Sequence, residues 1–292
     1  MTNQRLADRL RPYVMIAPAM IGIFLFVVYP TIKLLQLSLY DYNLMNKAKS
    51  KFIGLNNYIE ILSRGDFYKS LENTALYTLG VVVFTMTIAI LMALWLQKNS
   101  KINFVIQAGL FTPHIVSIVS IALIWLWLME PNLGFLNFIL KTLGLPTSQW
   151  LQSSNTALLS IIIVSVWQAI GYYTIIIVAA LHGVSPTIYE AAALDRAKRS
   201  TVFYKLTLPL ISPQLFFILV IMTIGSFKVF DTVRIMTGGG PNNATNTLVY
   251  YIYEFRTTNI GYATTSGVIL MGIIGVLTLI YFKIISKKIF YQ

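Results

Sequence analysis

An all-α membrane protein of six transmembrane helices is the fold class this sequence predicts, on three observations. The 292 residues are 57% hydrophobic and only 11% charged, whereas a soluble domain carries roughly 25% charged residues. The mean hydropathy is +0.71. The apolar residues fall into six blocks of about 20, the length a bilayer-spanning helix needs, without the alternation over about 10 residues that marks a barrel strand. This composition excludes a soluble enzyme, a disordered tail and a nucleic-acid-binding module. The net charge of +12 is scattered between the apolar blocks rather than gathered in a patch, so it is a topology signal. With no cysteine there is no disulfide, thiolate nucleophile or Cys metal site. His114 and His182 are far apart in sequence, which argues against a His-based metal site.

Taken in order, residues 1–12 form a basic N-terminal segment, and residues 13–285 form the six-span domain. The spans run 13–37, 74–96, 104–128, 157–181, 208–230 and 264–285. The first is too long for the 7–15-residue apolar core of a signal peptide, so it is read as a span. With the N-terminus placed in the cytoplasm, every short inside segment is basic. These segments hold Arg5, Arg9 and Arg11, then Lys98 and Lys101, then Arg196, Lys198, Arg199 and Lys205, and finally Lys283, Lys287 and Lys288. Their acids are Asp8, Glu190 and Asp195. Basic residues mark cytoplasmic loops, so both termini are placed inside, with 286–292 as a cytoplasmic tail. Lys47, Lys49 and Lys51 in the first outside loop point the other way, but long loops cross despite their charge. Of the outside loops, 39–73 carries Phe52-Ile53-Gly54-Leu55-Asn56-Asn57-Tyr58 and reads as folded. The 129–156 loop has turn residues Pro131, Gly134, Gly144 and Pro146, and the 231–263 loop has Gly238-Gly239-Gly240-Pro241.

The 182–207 segment is the one long inside loop. Ser185 can cap a helix that starts at Pro186, a residue suited to the first turn because no donor is needed there. Glu190 then lies toward the positive end of that helix, and the Ala191–Ala193 run favours helix strongly. An amphipathic piece, Thr201–Leu208, follows before Pro209 and Pro213. Two readings stand side by side: an amphipathic helix on the membrane surface, or a knob presented to another protein. In the second, small Ala side chains permit close approach, and Glu190, Asp195 and Arg196 fix the register. Elsewhere, Trp125, Trp127 and Trp150 read as interfacial belt residues. His114 beside Pro113 reads as a hydrogen-bonded group at a helix kink. Lys228 and Asp231 either face a wet cavity or snorkel to the interface.

Glu190-Ala191-Ala192 with Asp195, Ala197, Phe203 and Leu206-x-Leu208-Pro209 resembles the EAA loop of membrane (permease) subunits of binding-protein-dependent ABC importers. Thr237-Gly238-Gly239-Gly240-Pro241 and Trp167 are similar to the carbohydrate branch, the maltose-transporter permease family. The resemblance runs from about Tyr13 to Lys288. Two departures stand out. Arg196 occupies the position of the family's Gly, where a left-handed turn is cheap for Gly and costly for Arg. The turn is therefore expected to be more helical, or Arg196 to add a salt bridge to the ATPase. The chain is also expected to be the compact version of the family, without two extra N-terminal spans and a large outside domain.

The resemblance implies a type I ABC-importer permease fold in a bacterial inner membrane and a separate ATPase docked on 182–207. It assigns docking to Tyr189, Glu190, Ala191, Ala192, Asp195 and Arg196, with Ala193 and Leu194 as packing support. It assigns substrate contacts to Gln168, Ala169 and Tyr172 on the fourth span, and to Ser226, Val229 and Asp231 at the fifth. The partners it implies are a second, distinct permease, two cytoplasmic ATPases, an extracytoplasmic sugar-binding protein and the lipid bilayer, with no nucleic acid. The chain has no G-x-x-x-x-G-K-[ST], so no cofactor and no catalytic residue are assigned to it, and ATP and Mg²⁺ belong to the partner. The substrate implied is a sugar or oligosaccharide, with glycerol-3-phosphate or another small polyol or sugar phosphate as the alternative. A stand-alone secondary transporter is disfavoured because deep carboxylates are scarce. An intramembrane enzyme is disfavoured because H-E-x-x-H and G-x-S-x-G are absent.

Overall fold

The computed structural model describes residues 2–42 and 50–285. Lys47, Lys49, Lys287, Lys288 and the 286–292 tail lie outside the described residues, as do the side chains of Arg5, Asp8 and Arg9. In chain order the elements are α1 (Thr2–Ile23), α2 (Tyr29–Leu37), β1 (Tyr40–Asp41), β2 (Lys51–Phe52), α3 (Asn56–Ser63), α4 (Gly65–Leu96), α5 (Lys101–Ile115) and α6 (Ile118–Leu128). They continue with α7 (Phe135–Thr142), α8 (Ala157–His182), α9 (Pro186–Leu194), α10 (Arg199–Val202), α11 (Leu208–Leu210), α12 (Ser212–Phe227), α13 (Asp231–Met236), α14 (Leu248–Phe255) and α15 (Ile260–Ile280). Among the described residues five helical runs are long and apolar enough to cross a membrane, and the bent pair α5–α6 makes six.

The chain divides into two units, one made of residues up to 64 with 252–271, the other of 65–251 with the residues from 272 on. In the first unit, α1 and α2 join through a π-helical stretch, Phe24–Val28. From Tyr13 to Val28 apolar side chains point out on every side; Phe26 is 81% exposed within the chain. A helix apolar on every side and unburied by protein is a lipid-facing helix. Behind it, buried Ser38 acts as a hub. Its hydroxyl shares a hydrogen bond with Tyr58 at 2.8 Å, and its carbonyl accepts from Asn57 Nδ2 at 2.9 Å and Thr265 Oγ1 at 3.2 Å. Asn57 also donates to Tyr40 O on β1, which pairs antiparallel with β2. A Cβ at Gly261 would sit 2.7 Å from Asn57 Nδ2, so only glycine fits against this node.

The second unit is built on α4 and α8, with α5 on α8 and α12 against α4. α4 starts at Gly65, ahead of the apolar edge at Thr74, because Asp66 and Ser70 satisfy polar groups of its first turns. Phe67 N–H donates to Asp66 Oδ1 at 2.9 Å, and Ser70 Oγ to Asp66 O at 3.0 Å. The block expected as one span over 104–128 is two helices meeting at 98°. Pro113 lies inside α5, and Val116 and Ser117 take extended ψ values of 142° and 131°. Two π-helical stretches, Phe24–Val28 within the first span and Phe203–Thr207 ahead of α11, end two residues ahead of a proline, Pro30 and Pro209. A ring without an N–H, crowding the preceding turn, widens the helix there.

α8 meets α5 backbone to backbone at Gly171. A Cβ on Gly171 would lie 1.8 Å from Leu110 O and 2.2 Å from its carbonyl carbon. Small residues permit such backbone contact between membrane helices. We therefore expect Gly171→Ala to push α5 off α8 and destabilise the protein by about 1–3 kcal/mol or more, the range for overpacked sites. Gly109→Ala, with nothing within 4 Å of its Cβ, should leave the detergent-solubilised melting temperature unchanged or raise it slightly. Equal melting temperatures for the two variants would contradict this packing account.

Candidate functional site

Beside the α5–α8 contact lies a cavity of about 340 Å³, inside the roughly 300–1,000 Å³ range of small-molecule sites. α8 presents Ser165, Gln168 and Ala169 to it, spaced so that they share one helix face. α4 contributes Tyr77 and Val81, and α12 contributes Met222, Gly225 and Ser226; Val229 and Thr232 follow. Tyr77 Oη donates to Ser165 Oγ at 2.8 Å, and Ser165 Oγ donates to Ile161 O at 2.9 Å. The wall thus alternates hydroxyl and amide groups with aliphatic and aromatic surface. Among the described residues neither Lys, Arg, Asp nor Glu lines it.

Of the substrate positions implied by resemblance, Gln168, Ala169, Ser226 and Val229 line this cavity together. Tyr172 and Asp231 are not among its lining residues. Tyr172 stacks on His114 with ring centroids 4.3 Å apart and planes 14° apart, and Phe111 lies at 6.4 Å on the same side chain. Asp231 is exposed as the first residue of α13. Lys228 is exposed, and Arg234 lies over the Phe230 ring at 5.7 Å. His114 is itself a lining residue, held by stacking rather than by the hydrogen bond expected of it. Tyr77, Ser165 and Thr232 were not picked out from the sequence, whereas Tyr173, expected beside Tyr172 as an aromatic face for sugar rings, does line the cavity. Ser165 carried a signal, since it stands three residues before Gln168 on the same face. Tyr77 carried none, because α4 is apolar or small on most sides and its inward face emerges only on packing.

The second candidate element is the loop centred on α9. Ser185 occupies the N-cap position, but its hydroxyl pairs with Thr187 Oγ1 at 2.9 Å and caps no backbone donor. Pro186 in the first turn removes one donor that would otherwise need capping. Arg196 corrects the sequence expectation of a more helical turn: it adopts φ 49°, the left-handed conformation the family's Gly would take. Arg196 N–H then donates to Ala193 O at 3.0 Å, and Ala197 N–H to Ala192 O at 3.0 Å. These paired bonds terminate a helix in a Schellman motif, offsetting the roughly 1–2 kcal/mol that a left-handed residue with a Cβ costs.

α9 has two faces. Ile188 and Tyr189 pack on the cluster formed by Ala89, Ala93, Ile177, Leu181, Val184 and Met222, and Ala192 is buried. Glu190, Ala191, Ala193, Asp195 and Arg196 are exposed, and Leu194 is 86% exposed. Among the described residues Glu190, Asp195 and Arg196 form no ion pair. Of the six docking positions, then, Tyr189 and Ala192 face inward, and the outward set gains Leu194. His182 Nε2 and Gln97 O, 2.6 Å apart, join the ends of α8 and α4 beside this loop.

Residues 85–291 match the family of binding-protein-dependent transport system inner membrane components. Among similar proteins, the probable ABC transporter permease YurN of Bacillus subtilis is 32% identical over 290 residues, covering 97% of each chain. The sulfoquinovosyl glycerol transport system permease SmoG of Agrobacterium fabrum is 30% identical, covering 97% of this chain and 92% of that protein. The sn-glycerol-3-phosphate transport system permease UgpA of the same organism is 30% identical, covering 97% of each. A chain of a solved bacterial alginate ABC transporter superposes with a TM-score of 0.82 at 24% identity, over 95% of this chain and 96% of that one. The architecture is thus the type I ABC-importer permease fold anticipated from the sequence. With residues 85–291 matched and relatives aligned along nearly its whole length, the chain belongs to the binding-protein-dependent transport system inner membrane component family: it is a multi-pass membrane permease subunit of an ABC importer, without catalysis of its own, working with a binding protein and a separate ATPase.

Proposed function

We propose that this permease carries an uncharged sugar or oligosaccharide through the cavity between α4, α8 and α12, driven by an ATPase seated on the outward face of α9. The observation that carries the reading is the lining itself. Gln168, Ser226, Ser165, Thr232 and Tyr77 supply donors and acceptors for hydroxyls, while Val81, Met222 and Val229 supply apolar surface for ring faces. The names of relatives place sulfoquinovosyl glycerol and sn-glycerol-3-phosphate in the same family. A glycerol phosphate is therefore the second reading; the lack of Lys or Arg among the described lining residues favours the first.

In this reading both termini and α9 lie in the cytoplasm, and the chain comprises the six-span domain with short cytoplasmic ends. A second, homologous permease completes the pathway, two ATPase subunits dock on the two α9-type helices, and an extracytoplasmic binding protein delivers sugar to the opposite side. Glu190, Ala191, Leu194, Asp195 and Arg196 meet the ATPase. Ile188 and Tyr189 transmit its movement because they pack on the cluster whose Met222 lines the cavity. Closure of the ATPases on ATP tilts α9 and opens the cavity outward, and hydrolysis returns it inward.

Two tests follow. Gln168→Ala removes one hydrogen-bonding group from the cavity wall, so sugar uptake by the reconstituted transporter should fall about tenfold at subsaturating substrate, with ATPase association unchanged. Competition by glycerol phosphate but by no neutral sugar would favour the second reading. Leu194→Asp and Glu190→Lys should weaken ATPase co-purification about tenfold or more, as loss of an interface anchor does, while membrane insertion stays normal. Full co-purification with both variants would remove the docking assignment.

A further inference from the structure

A second cavity, of about 420 Å³, lies on the inward side of α9. Leu94, Val202 and Phe203 give it apolar walls, and Gln97, Tyr189, buried Thr207 and exposed Arg199 also line it. Four further cations lie near it in the sequence: Lys98 follows Gln97, Lys101 opens α5, Lys198 precedes Arg199, and Lys205 lies in the π-helical stretch. Among the described residues none of these five is in an ion pair. Tyr204, 66% exposed, sits beside Lys205, the pairing of aromatic and cation found at membrane interfaces. Leu94 and Gln97 mark where the apolar run of α4 gives way to Lys98, which sets the cavity at the level of the inner membrane surface.

We propose that this cavity binds one anionic phospholipid, its phosphate on Arg199 and an acyl chain against Leu94, Val202 and Phe203. Apolar walls with the Arg199 guanidinium beside them fit an amphiphile better than a free phosphate. The ATPase is the weaker candidate, because the cavity lies behind α9, opposite the face that carries Glu190 and Leu194. With Tyr189 on one side and the π-helical entry to α12 on the other, a bound lipid braces α9 against the fifth span. This last consequence rests on the docking reading; the binding itself does not.

The test uses the assembled transporter in nanodiscs of phosphatidylcholine alone or with about a third phosphatidylglycerol, an anionic surface that attracts cations. Lipid retained after mild detergent exchange is measured by native mass spectrometry, and binding-protein-stimulated ATPase activity in parallel. The wild type should retain phosphatidylglycerol over phosphatidylcholine. Arg199→Gln should weaken that retention about fivefold, the share of one surface cation, and Val202→Trp should abolish it by filling the cavity. Lys101→Gln, a cation outside the lining, should retain lipid as the wild type does. Wild-type retention by Val202→Trp, or equal losses in Lys101→Gln and Arg199→Gln, would overturn the proposal in favour of general surface charge. Loss of ATPase subunits from Arg199→Gln with lipid retention intact would also overturn it and make the cavity an ATPase contact. A failed docking reading would show instead as normal ATPase association in Leu194→Asp, with lipid retention unaffected.

Discussion

The backbones of α5 and α8 touch at Gly171, where a methyl group would stand 1.8 Å from Leu110 O. Much of the second unit is arranged around that approach. It holds His114 and Tyr172 face to face and leaves the cavity beside them, on the face of α8 that bears Ser165, Gln168 and Ala169. On the other side of α8, Ala89 and Ala93 of α4 let Ile177 and Leu181 pack closely. Without small residues at these points the helices would separate, and the polar lining would open to lipid, where unpaired polar groups are costly.

The same packed cluster joins the two candidate sites. Met222 is a member of it and also lines the cavity, while Ile188 and Tyr189 of α9 rest on its other end. A load on the exposed face of α9 is therefore applied to side chains that reach the cavity wall without an intervening loop. A tightly packed interior passes such a displacement on rather than absorbing it. Arg196 serves the same end: its left-handed turn closes α9 sharply, so the helix ends as a short knob and does not run on into α10.

The spans were legible because a run of about 20 apolar residues has few alternatives in a chain so poor in charge. The 182–207 loop was legible as a family motif because its residues keep fixed spacing. What sequence could not give was direction. Ala191 and Ala192 are chemically identical, yet one is exposed and the other buried, a distinction made by where α9 lands on Ile177, Leu181 and Val184. Leu194 was expected from the resemblance as packing support; it is exposed beside the helix end set by Arg196. Tyr172 and Asp231 sat at promising positions, but the first is taken up by His114 and the second opens α13 outside the cavity. The 98° break in the third block had its signal in Pro113, although the two extended residues at Val116 and Ser117 had none.

The most direct test asks whether α9 and the cavity move as one. Because the chain has no cysteine, Ser226→Cys places a single thiol in the cavity wall of the assembled transporter. Its rate of reaction with a small maleimide would be measured with and without ATP trapped in the partner. The account predicts a clear ATP-dependent change in rate, and loss of that change when Met222→Ala is added, with ATPase association and hydrolysis retained. An ATP response unaltered by Met222→Ala would contradict the idea that this packed core carries the coupling.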